Sequence, residues 1–111
     1  MKHVTFAEKS LLVDDETADI LLEYAAALAG RGEADAVEIH AFSSDGDEVT
    51  ATLLLDAGAP IMAETAQTSM QGPDNEPALA YMREQLARLS PVAVNPGETR
   101  GIGNYDDLDL L

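Results

Sequence analysis

Apolar residues recur along this chain with two different periods, and the switches between them mark its elements. In residues 3–6, Val4 and Phe6 fall on one side and His3 and Thr5 on the other, the two-residue period of a half-buried strand. The same strand is expected to run on through Ser10, Leu11, Leu12 and Val13, after an irregular polar step at Glu8 and Lys9. From Asp14 the period lengthens. Ala18, Leu21, Leu22, Ala25, Leu28 and Ala29 recur every three or four residues, the apolar stripe of an amphipathic helix. Asp14 or Asp15 suits its N-cap, Asp15, Glu16 and Asp19 complement the positive end of its dipole, and Gly30 followed by Gly32 supplies the stop.

The shorter period returns in residues 36–42, where Val37, Ile39 and Ala41 oppose Glu38 and His40. The pair Asp45-Gly46 signals a hairpin into residues 49–56, with Val49, Ala51, Leu53 and Leu55 on one face and Thr50, Thr52 and Leu54 on the other. A second turn over residues 57–60 leads into residues 61–65, so three strands and two tight turns predict an antiparallel meander. Residues 66–74 have no period and read as a polar loop, with Met70 as its adaptable apolar contact. Asn75 or Asp74 then caps a second helix with Pro77 in its first turn. Its apolar face is Leu79, Met82, Leu86 and Leu89, and Glu84 is spaced to pair with Arg88. Pro91 ends it.

These elements predict an α+β fold in the order β-α-β-β-β-α: a mostly antiparallel four-stranded sheet with two helices on one face. Residues 1–90 form the single domain, and residues 91–111, rich in Pro and Gly turn signals, form a flexible acidic tail. The sheet face turned from the helices would carry His3, Thr5, Glu38, His40, Thr50, Thr52 and Leu54 with Phe42 nearby. That mixed polarity suits a partly covered surface.

Composition narrows the chemistry. At 111 residues and 11.8 kDa there is one modest core, and 18 Ala with no Trp make it a lean one, to which a homodimer interface would add. The absence of Cys excludes disulfides, thiol catalysis and thiolate metal sites. The apolar cluster over residues 21–29 contains Glu23 and is too short to cross a bilayer, so a soluble, cytoplasmic protein is expected. Six Lys and Arg against 21 Asp and Glu give 6 − 21 = −15. Such a charge disfavours direct nucleic-acid binding and anionic membranes, which both need cations to meet phosphates. It points instead to another protein, a basic one, or to an acidity shared across the source proteome.

Candidate sites are few. His3 and His40 with Glu38 would make a metal triad only if the fold gathered them, and no motif fixes their distance. Residues 45–48 lack the ligand spacing of a calcium loop, and the acids of residues 14–19 are explained by a helix start. Ser43, Ser44, Thr68 and Ser69 sit in turns or loops without a nucleophile elbow. The Gly-x-Gly at residues 101–103 neither follows a strand nor opens a helix. No catalytic residue, metal ligand or cofactor site is therefore assigned.

The C-terminus is different. Tyr105, Asp106, Asp107, Leu108, Asp109, Leu110 and Leu111 combine acids, which keep the tip soluble, with leucines suited to a groove, and are assigned to partner binding. The expected function is a small acidic, non-catalytic protein-interaction module, with homo-oligomerisation open. The alternatives are an inhibitor or immunity-type protein covering the basic surface of a nuclease or other cationic target, and a small enzyme or ligand-binding domain with a cavity between sheet and helices.

Overall fold

The first apolar run is two strands, not one. In a computed structural model of the protein, which describes residues 1–58 and 60–89, Lys2–Phe6 (β1) folds back on Lys9–Val13 (β2), with Lys2 opposite Val13 and Phe6 opposite Lys9. The reversal falls on Ala7 and Glu8, and Ala7 takes a positive φ of 57°. A two-residue hairpin turn of this kind favours glycine at its first central position. The chain has alanine there, so the usual hairpin signal is missing. The four-stranded expectation is thereby corrected to a five-stranded antiparallel sheet in an α+β fold with two helices.

Asp15–Arg31 (α1) follows. Asp14 is its N-cap, accepting from the Thr17 N–H at 3.1 Å and the Thr17 hydroxyl at 2.5 Å. Gly30 lies inside the helix, and Gly32, at φ 65°, makes the left-handed C-cap. Asp35–Phe42 (β3) and Glu48–Leu55 (β4) form the anticipated hairpin, closed where the Ser43 N–H donates to the Asp47 carbonyl at 2.8 Å. Ile61–Thr65 (β5) and Glu76–Leu89 (α2) complete the described chain.

The meander, however, is not formed. The strand order is β4-β3-β2-β1-β5, and β5 pairs with β1 rather than with β4. Because β2 occupies only one side of β1, the other side is free to accept β5. There Ile61 and Ala63 stand opposite Phe6 and Val4 on the core face. Residues 56–60 therefore connect the two edges of the sheet, a link that reaches at most about 20 Å. Asp56 and Ala57 run against α1, beside Leu22, Ala25, Ala26 and Ala29.

β2 and β3 pair only at Leu12 and Phe42, which leaves most of that side of β3 without a strand among the described residues. Asn75 takes part of the strand's place. Its Oδ1 accepts from the His40 N–H at 2.7 Å, and its Nδ2 donates to the His40 carbonyl at 2.8 Å. The residue is 3% exposed and opens α2 with its own carbonyl, which accepts from the Leu79 N–H. Asp74 accepts from the Glu76 N–H at 3.2 Å. The two cap candidates thus divide the work: Asp74 serves the helix start and the Asn75 side chain serves the sheet.

One core joins the sheet and both helices: Val4, Val13, Val37, Ile39, Ala41, Leu53 and Leu55 meet Ala18, Leu21, Tyr24, Ala25, Leu28, Met82 and Leu89. Full burial of each large aliphatic here contributes about 1.5–3 kcal/mol. The buried stripe of α1 is Thr17, Ala18, Leu21, Tyr24, Ala25 and Leu28, whereas Leu22 is half-buried and Ala29 exposed. On α2, Leu79, Met82 and Leu89 are buried and Leu86 is partly so. Arg88 pairs with Glu33 at 3.4 Å and donates to Gln85 at 2.8 Å, in place of the expected Glu84 partner.

Candidate interaction surface

Strand alternation exposes His3, Glu38, His40, Thr50, Thr52 and Leu54 on the face turned from the helices. His3 lies on β1 and His40 on β3, and β2 runs between them, so the fold does not unite the two imidazoles. Across the hairpin, His40 Nδ1 lies 3.3 Å from Thr50 Oγ1. Among the described residues no group of three His, Cys, Asp or Glu side chains is placed to hold a metal ion. Phe42, half-buried, lines a depression of about 270 Å³ with His3, Ser10 and Leu12, and Met70 from the loop lines its rim. Of the loop over residues 66–74, Met70 reaches this depression, while His3, Glu38, His40, Thr50, Thr52 and Leu54 stay exposed. That loop is held down at its end: a Cβ on Gly72 would stand 3.0 Å from the Asp14 backbone nitrogen and the Met1 sulfur. The site assigned to Tyr105, Asp106, Asp107, Leu108, Asp109, Leu110 and Leu111 lies outside the described residues.

One polar cluster was not anticipated. The hydroxyls of Tyr24 on α1 and Tyr81 on α2 both donate to Asp35 Oδ2 at 2.5 Å, and the Ala36 N–H donates to Oδ1 at 2.8 Å. The two rings meet edge to face with centroids 6.4 Å apart. Burial by itself would raise the Asp35 carboxyl, but the tyrosine hydroxyls, the Ala36 N–H and the charge of Arg88 outweigh it and hold the group below the usual carboxylate range. Burial and then the bond to Asp35 push the Tyr24 hydroxyl well above its ordinary value, and the bond to Asp35 followed by burial raises Tyr81. Three donors occupy most of the acceptor sites of this carboxylate, both of those on Oδ2 among them. Its job here is to tie both helices to the start of β3. The signal was present in part, since Tyr24 stands three residues after Leu21 and four before Leu28, within the helical stripe.

The surface has two further features. An open apolar groove of about 450 Å³ runs between the β1–β2 turn and β4, lined by Phe6, Ala7, Leu11, Val49, Ala51 and Leu53, with Lys9 among its few polar side chains. Phe6, Leu11, Val49, Ala51 and Leu53 belong to the core face of the sheet, and all but Leu53 are only partly buried. The second feature is charge pairing. Lys2 meets Asp19 at 2.6 Å, Arg83 meets Glu16, Arg31 meets Glu33 at 3.6 Å, and Arg88 shares that glutamate. Among the described lysines and arginines only Lys9 forms no ion pair within 4.0 Å. Exposed Glu8, Glu38, Asp45, Asp47, Glu48, Glu64, Asp74, Glu76 and Glu84 have no described cation at that distance.

No protein-family model matches the chain, and searches of curated proteins and of solved structures find no significant match. No helix among the described residues is long and apolar enough to cross a membrane.

Proposed function

We propose that the chain is a non-catalytic protein-interaction module that meets a basic partner protein through its acidic surface and its C-terminal acidic-aliphatic residues. The observation that carries this reading is the distribution of charge. Among the described residues most of the few cations are already bound to neighbouring acids, so exposed carboxylates such as Glu8, Glu38, Glu48, Glu64 and Glu84 have no described cation to meet. Such a surface accelerates encounter with a cationic protein, while leucines at the tail tip supply the apolar anchor that exposed charges lack. Affinity purification with the full chain and with a chain ending at Pro91 tests it. The full chain retains its partner and the shortened chain loses it; equal retention by both removes the tail from the mechanism.

The same charge distribution favours a second reading, an inhibitor or immunity-type protein that covers the basic surface of a nuclease or another cationic target. Here the carboxylates of the folded domain do the binding. Capture then survives the cut at Pro91 and falls steeply as salt is raised, because the attraction is between exposed charges. Capture that ignores salt counts against this second reading.

A further inference from the structure

Two strands form the edges of this sheet, and they are built differently. β5 has five residues, follows Pro60 and carries Glu64. Shortness, proline and charge are devices that stop an edge from recruiting another strand. β4 has eight residues, and its residues 49–55, Val-Thr-Ala-Thr-Leu-Leu-Leu, include neither a charge nor a proline. Valine and threonine favour the extended backbone, and the outer edge of the strand, which no described strand pairs, offers a row of peptide N–H and C=O groups. On the outer face Thr50 and Thr52 are exposed and Leu54 is 56% exposed. On the inner face Val49, Ala51 and Leu53 form one wall of the open groove. Among the described residues β4 thus has an unpaired hydrogen-bonding edge with uncharged side chains on both faces, threonine and leucine outside and apolar ones inside.

Charge selects the occupant. A basic peptide laid along β4 would find carboxylates only at its ends, Glu48 and Asp56, and none between. An uncharged strand fits better, and the chain itself carries one. Two copies at −15 each repel over most of their surfaces, so an uncharged edge is where they can approach most closely. We propose that β4 pairs antiparallel with β4 of a second copy, about a two-fold axis through Thr52, joining two five-stranded sheets into one. In this register Thr52 faces its own counterpart, Ala51 opposes Leu53, Thr50 opposes Leu54, and Val49 opposes Leu55. No like charges meet until Glu48 reaches Asp56 at the ends. This inference concerns the folded domain and does not depend on the C-terminal residues.

The chain contains no cysteine, which permits a direct test of register. Residues opposed across an antiparallel pair have Cα atoms about 4.5–5.5 Å apart, within the range a disulfide spans. Under mild oxidation the full-length Thr52→Cys variant forms a covalent dimer of twice 11.8 kDa. Leu54→Cys, whose two copies lie about 13 Å apart in this register, and Met62→Cys on β5 remain monomers. Unmodified protein, followed by sedimentation from about 5 to about 500 µM, associates with concentration and does so more tightly at about 0.5 M salt than at about 0.05 M, since salt screens the mutual repulsion. Thr52→Glu weakens that association at least ~10-fold with an unchanged circular-dichroism spectrum, whereas Met62→Glu leaves it intact. A monomeric mass across the whole range at both salts overturns the proposal. So does cross-linking of Leu54→Cys as readily as Thr52→Cys, or equal weakening by the two glutamate variants.

Discussion

Ala7 carries the backbone conformation that creates the first hairpin, at a cost its side chain imposes. At φ 57° the Cβ crowds the following carbonyl, a penalty of about 1 kcal/mol that glycine escapes. Ala7→Gly is expected to stabilise the protein by about 0.5–1 kcal/mol in urea unfolding; a loss of stability would show that the turn does not hold this φ. Asp35 gives a second prediction. Its carboxyl is held below the usual range, so its bonds to Tyr24 and Tyr81 contribute fully above the unfolded value of about 3.9, and that contribution vanishes as pH falls through the lower folded value. Tyr24→Phe should therefore cost about 1.5–3 kcal/mol near pH 7, with the gap between variant and parent closing below about pH 4. A gap that stays constant down to pH 2 would assign the loss to packing instead. Of these features only the place of Tyr24 in the helical stripe was legible in sequence. The tyrosines lie 11 and 46 residues from Asp35, and nothing local to that aspartate separates it from the acids around it.

Elements were easier to read than their partners. The apolar stripes of α1 and α2 and the alternation in β3 and β4 each follow from a local periodicity, β5 follows from the turn before it, and the observed elements match those readings. The failures were of pairing. The β1–β2 hairpin went unread because its turn lacks the glycine, asparagine or aspartate that normally marks one. The meander was expected because short links usually join neighbouring strands, whereas here the better apolar match for β5 was the open side of β1. Asn75 belongs to the same scale, since a single side chain continues the hydrogen bonding of β3 where β2 stops. Asn75→Ala would leave the His40 N–H and C=O without these partners and is expected to cost about 2–3 kcal/mol. Urea unfolding measures the loss. Amide exchange at His40 should accelerate locally as well; an unchanged exchange rate would mean that another group satisfies β3.

Across the whole molecule, charge sets the response to solution conditions. At −15 the folded chain repels itself, and the described ion pairs relieve this at only a few points. Raising salt from about 0.05 to about 0.5 M should stabilise the fold by about 1 kcal/mol, roughly 5 °C in melting temperature, because screening acts on the surplus of like charges. A melting temperature that falls with salt would show that local ion pairs outweigh the global repulsion. The sequence by itself determined the α+β class, the two helices, the β3–β4 hairpin and the sign of the surface charge, for periodicity and composition are properties of neighbouring residues and of totals. Only the tertiary structure decided the strand order, the joining of Tyr24, Asp35 and Tyr81, the separation of His3 from His40, and which strand was left as an open, uncharged edge. Those depend on which apolar faces meet across tens of residues, where several pairings satisfy the same local pattern and burial of the whole core chooses among them.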